Sequence, residues 1–244
     1  MPSVWPSMGN ILNSPQIGFR IGHKAKPFSV HKAAIEFLSP KLVALQASEE
    51  VQPDPTSITL RGIDEATFTR LVEYAYRHDY TVPGLKASPN PPNHSSVSLS
   101  LYEKLEQGDE FSDTEPFITR ARIKFHNEAM KPHVNLNNAV SHDTVEEMKV
   151  SGHCGHFDVF DAHIALYNLA RQYDIHPLES LCKKRFRQSL LFMHINEHTI
   201  IALSDILDCV EHGALSTPGD EIRDILLDYF LANFYKATAQ RHCT

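Results

Sequence analysis

The chain has 244 residues, 42% of them hydrophobic, and carries 30 acidic against 23 basic residues for a net charge of −7. This length fits one domain carrying an insertion, or one and a half domains, and allows a substantial apolar core without covalent staples. The acidic balance excludes a surface that tracks nucleic-acid phosphates, and the four scattered cysteines exclude a disulfide framework. Reduced thiols inside the cell follow from Cys154, Cys182, Cys209 and Cys243. No apolar run precedes Arg20 as a secretory signal would require, and no stretch of about 18 apolar residues spans a membrane. The expected location is therefore cytoplasmic, nuclear or both, with no membrane contact.

Residues 1–15 hold three prolines among Ser, Asn and Gly, a composition that predicts a disordered arm. Beyond it, Ile17, Phe19 and Ile21 alternate with Gly18 and Arg20, the period-2 pattern of a strand. "HKAKP" turns the chain, and "FSV" returns as the second strand of a hairpin. "HKAAIEFL" is a short helix, and Ser39 with Pro40 predicts the N-cap and first residue of another. "QPDP" breaks that helix and "SITL" forms a third strand. Asp64 then caps a helix whose apolar positions are Phe68, Leu71, Val72, Ala75 and Tyr76.

Pro- and Ser-rich sequence follows, and then polar sequence of mixed charge. Residues 81–157 read as a long, largely disordered insertion, in which "SLYEKLEQ" and "ITRARIKFHNEAM" are at most marginal helices without a wide apolar stripe. Helical order resumes with Ala162, Leu166, Leu169, Ala170 and Tyr173 on one face. Pro177 opens a second helix with Leu178, Leu181, Cys182 and Phe186 inward. Residues 191–244 read as a helical extension. Within it, Thr217 and Pro218 predict a capped helix with Ile222, Ile225, Leu226, Tyr229, Phe230 and Phe234 on a broad apolar face.

Three segments carry a family resemblance: "FSVHKAAIEFLSPKL", "ITLRGIDEATFTRLVEYAYRHDY" and "LYNLARQYDIHPLESLC". In this order they resemble a BTB/POZ domain, over about residues 16–80 and 159–190. The long polar insertion and trailing helices are similar to those of fungal BTB proteins. The resemblance implies an α+β fold at residues 16–190, a small sheet with a cluster of helices, interrupted by the insertion and followed by extra helices. It also implies a non-enzymatic protein–protein interaction module that self-associates or recruits partners, with the alternative of a substrate adaptor for a cullin-type ubiquitin ligase. Family members commonly dimerise through the N-terminal strand and first helix. Arg77-His78 stands where the family usually has Thr-Gly, and Gln16 where many members have an Asp near the base matched by Lys32.

Several clusters invite a chemical reading. His31, Lys32 and Ser39 handle protons, but a nucleophilic triad needs convergence and an orienting carboxylate, and Ser39 is committed to capping. A structural role is expected for all three, and no catalytic residue. His153, Cys154, His156 and His163, with His142 upstream, are weak candidates for zinc in a regulator, because H-C-x-H lacks the paired spacing of structural zinc sites. Neither a metal nor any other cofactor is expected. Ala47 and Glu49 loosely match the apolar-x-Glu motif of cullin-recruiting members. Ile17, Phe19 and Ile21 are expected to form an exposed edge strand that, with Lys32, meets a protein partner as a weak homodimer.

Overall fold

The computed structural model describes residues 5–45, 57–83, 101–102, 105, 116–131, 156–193, 201, 203–208 and 221–239. The protein is mixed α+β, mostly helical, with a small three-stranded sheet. It divides into two compact units: Met1–Val82 with Ala165–Glu179, and Pro83–Ile164 with Ser180–Thr244.

The first unit opens with a short helix, α1 (Met8–Leu12), capped by Ser7 and burying Ile11. This replaces the disordered arm expected for residues 1–15, at least from residue 5 onward. The reason lies in what the segment binds. Trp5 and Ile11 supply the apolar contact that the composition of the arm as a whole concealed, while Ser14 and Pro15 complete a neighbouring helix.

Strands β1 (Gln16–Ile21) and β2 (Lys26–His31) form the predicted antiparallel hairpin. Its turn needs positive φ at Gly22 (70°) and Ala25 (51°), which is free for glycine and mildly strained for alanine. Helix α2 (Lys32–Leu38) follows, and α3 (Pro40–Ala44) begins where Ser39 and Pro40 predicted it. The chain then returns as β3 (Ser57–Leu60), parallel to β1, giving the order β2-β1-β3.

Because β1 is the central strand, it is not the open edge expected of it. Ile17, Phe19 and Ile21 are 3%, 1% and 1% exposed and belong to the core. Alternation alone reports which residues share a face; it says nothing of whether a strand lies at the centre or the rim.

Helix α4 (Glu65–Arg77) is capped by Asp64, whose Oδ1 accepts from the Thr67 N–H at 2.9 Å. It buries Thr67, Phe68, Leu71, Tyr74 and Ala75. The stripe is rotated from the expected one, so Tyr74 is core while Val72 and Tyr76 are half-buried. Phe68 anchors the helix to the sheet, with its ring 5.0 Å from Phe19 and 5.2 Å from Phe28.

Three further helices are α5 (Pro116–Met130), which belongs to the second unit, and α6 (His156–Gln172) and α7 (His176–Phe192), whose residues are divided between the two. The predicted inward residues of α6 and α7 are buried, including Leu166, Leu169, Ala170, Leu178, Leu181 and Phe186. Between them Asp174 takes a left-handed conformation (φ 55°), and the Ile175 N–H closes on the Ala170 carbonyl at 2.8 Å. That double reversal is a Schellman-type helix end.

The last long helix, α8 (Glu221–Ala239), buries Ile222, Ile225, Leu226, Tyr229 and Ala232. Phe230 is half-buried, and the Thr217 cap lies outside the described residues. Helix α5 packs on α8: Phe125 meets Tyr229 at 5.7 Å between centroids, and Arg122 Nε–H donates to the Ala232 carbonyl at 2.7 Å. Residues 116–130 are thus part of a core and not of a disordered insertion. Their stripe is narrow because Arg122, a charged residue, fills one of its buried places. Among the described residues, no helix is long and apolar enough to cross a membrane.

Candidate functional site

His31 and Ser39 flank α2, and both make hydrogen bonds to other elements. His31 occupies the N-cap position without capping. The first-turn donors of α2 are met from outside: Lys32 N–H donates to the Pro15 carbonyl (2.7 Å) and Ala33 N–H to Ser14 Oγ (3.1 Å). His31 turns instead to Tyr76 of α4. Its backbone N–H donates to the Tyr76 hydroxyl at 3.0 Å, and its Nδ1 lies 2.7 Å from the same oxygen. The hydroxyl thus serves both the backbone and the ring of His31 at the junction of β2 and α2, as acceptor from the N–H and as partner of Nδ1.

Ser39 is buried. Its Oγ accepts from the Leu42 N–H (3.1 Å) and donates to the Tyr173 carbonyl (2.8 Å), tying α3 to the turn after α6. Nothing brings Ser39 and His31 onto one point. Lys32 is half-exposed at the start of α2. Gln16 accepts from Ser29 Oγ at 2.6 Å across the hairpin, a neutral contact where an Asp would be charged.

The zinc candidates separate. His142, His153 and Cys154 lie outside the described residues, as does the side chain of His156. His163 is buried, with Nε2 3.1 Å from Ser189 Oγ, so that nitrogen is already used inside the core. Among the described residues, no three His, Cys, Asp or Glu side chains converge as a metal would need. Ala47 and Glu49 lie outside the described residues.

Two features were not anticipated. The first is an aromatic cluster: Trp5 lies 4.4 Å from Phe37, 4.1 Å from His78 and, edge-on, 6.1 Å from Tyr74. The signals were present as the lone tryptophan of the chain and as His78 in place of a glycine. His78 terminates α4 with φ 59°, the left-handed geometry a glycine would take freely. The second is on α1, where Met8 and Leu12, one turn apart, are 48% and 55% exposed.

Electrostatics at these positions are modest. Burial tends to push the Asp64 carboxyl up, but hydrogen bonds from the Thr67 side chain and from the Thr67 and Ala66 backbone outweigh it and hold the carboxyl below its ordinary 3.8. Burial alone lowers His78 from its ordinary 6.5. No family model, curated protein or solved structure matches the chain.

Proposed function

We propose that the chain is a BTB/POZ-type module whose work is protein–protein interaction, without catalysis, and that it forms a weak, concentration-dependent homodimer. The observation that carries the reading is topological. A hairpin, a short helical pair, a strand returning parallel to β1 and a capped amphipathic helix follow one another in the order the resemblance implies. The engagement of His31 by Tyr76 and of Ser39 by Leu42 and Tyr173 supports a structural use of the family segment.

The self-association surface is α1, through Met8 and Leu12, in place of the buried Ile17, Phe19 and Ile21. Two exposed side chains anchor far less than the roughly 1,000 Å² that a stable interface requires, which is why the dimer is weak. The cullin-adaptor alternative rests on Ala47 and Glu49, and no described residue favours it. Sedimentation velocity across a wide concentration range tests the proposal. A reversible monomer–dimer equilibrium is the expected result, and a single monomeric species up to high micromolar concentration would overturn it.

A further inference from the structure

His78 is an unusual residue to end a helix. Its left-handed backbone (φ 59°) strains any side chain, and a glycine would relieve that strain at no steric cost. What the imidazole adds is a platform. Its ring is 4.1 Å from the Trp5 indole and 6.5 Å from Tyr74, so α4 grips the N-terminal segment through it. Its Nδ1 is buried and has no hydrogen-bond partner among the described residues.

We propose that His78 is a pH-operated latch, which holds the N-terminal segment against α2 and α4 through Trp5 while neutral and releases it when protonated. The chemistry is that of one proton taken from solvent. Neutral imidazole keeps its proton on Nε2 and leaves Nδ1 as a bare acceptor, a small loss. Imidazolium carries N–H at both nitrogens, and the buried Nδ1–H then has no acceptor, a much larger one. Attraction between the cation and the indole face offsets part of that cost. Turning the ring out to water recovers the rest, but only by giving up Trp5.

Among the described residues, no neighbouring charge outweighs the burial of His78. From α4, Arg77 is paired with Glu73 at 2.7 Å, and the Tyr74 ring is neutral. Asp79, next in the chain, spends Oδ1 on the Tyr80 N–H at 2.9 Å. From α2 the contact is Phe37, and the adjacent Glu36 is exposed to water. The described residues next to it in the N-terminal segment, Trp5, Pro6 and Ser7, carry no charged side chain. The direction of the His78 shift, downward through burial, agrees with this. The released segment binds the proton more readily than the docked one. Docking is therefore complete above the ordinary value of 6.5 and is lost progressively as pH falls below it.

Trp5 is the chain's single tryptophan, so its emission reports the latch directly. Intrinsic fluorescence and acrylamide quenching of the full chain should be followed from about pH 8 to about pH 5, where histidine titrates, with far-UV circular dichroism in parallel. In the wild type the emission is expected to shift reversibly to the red, and the indole to become more accessible to quencher, at constant helix content. His78→Asn tolerates the left-handed backbone but cannot titrate, and its emission is expected to be independent of pH. A flat wild-type profile would overturn the latch. So would an equal shift in His78→Asn, including one that accompanies loss of helix in both proteins. The readout is the indole itself and does not depend on whether the chain dimerises.

Discussion

The two units treat buried polarity in different ways. In the first, Ser39, Asp64 and Tyr76 bond to backbone N–H groups at the start of an element or just before it. Each supplies a partner to a backbone donor that helix or strand geometry leaves unpaired. In the second, polar groups sit along the middle of α8, where the helix already satisfies its own backbone. Tyr229 is completely buried, and among the described residues neither its hydroxyl nor Oδ1 of Asn233 has a partner. The contrast has exceptions on both sides. In the first unit the Thr59 hydroxyl and His78 Nδ1 have no partner among the described residues. In the second, Arg122 and Gln188 donate to the Ala232 and Ala129 carbonyls, and His163 meets Ser189. It teaches that a buried polar side chain stabilises where it finds a partner, most readily where backbone valences end, and burdens a core where it finds none.

Both units still depend mainly on packing, so the largest expected effect ignores the contrast. Phe68→Ala removes the ring that meets Phe19 and Phe28, and should cost about 3–5 kcal/mol in urea denaturation. A loss below about 1 kcal/mol would mean that the sheet–helix core is looser than its burial implies.

The contrast itself is sharpened by a pair of hydroxyl deletions of opposite sign. Ser39→Ala loses a helix cap and the bond to the Tyr173 carbonyl, and should destabilise by about 1–3 kcal/mol. Tyr229→Phe loses a hydroxyl that has no partner among the described residues, and should leave stability unchanged or raise it by up to about 1 kcal/mol. If both substitutions destabilise equally, the contrast between the units fails.

The smallest effect is electrostatic. The Asp64 carboxyl is held below 3.8 in the folded protein, so its contribution is present above that value and fades as pH falls through the lowered one. Asp64→Asn still caps α4, and should match the wild type near neutrality while showing a shallower loss of stability in acid. Thermal melts at several pH values compare the two slopes, and parallel slopes would contradict the assignment.

The first unit was largely legible in the sequence because its signals are local. Asp64, Ser39 and Pro40 act within three residues, and the alternation at Ile17, Phe19 and Ile21 needs no distant knowledge. The place of β1 at the centre was not legible, since strand order depends on where β3 lands, and that is set by the connection between them. Helix α5 showed only as a marginal helix, and its place in a core was hidden for a related reason. Its partner α8 lies about a hundred positions away, and the pairing of Arg122 with the Ala232 carbonyl turns a charged residue into a buried one. The Trp5–His78 cluster joins residues from opposite ends of the first unit's opening segment, and no periodicity links them.

The claim that α1 is the self-association surface is tested most directly by the double substitution Met8→Glu, Leu12→Glu. Both side chains are exposed, so the fold should be retained, as circular dichroism would verify. Sedimentation velocity should then find the dimer of the wild type weakened at least about tenfold, the equivalent of 1.4 kcal/mol. An unchanged dimerisation constant in a folded double variant would contradict the account.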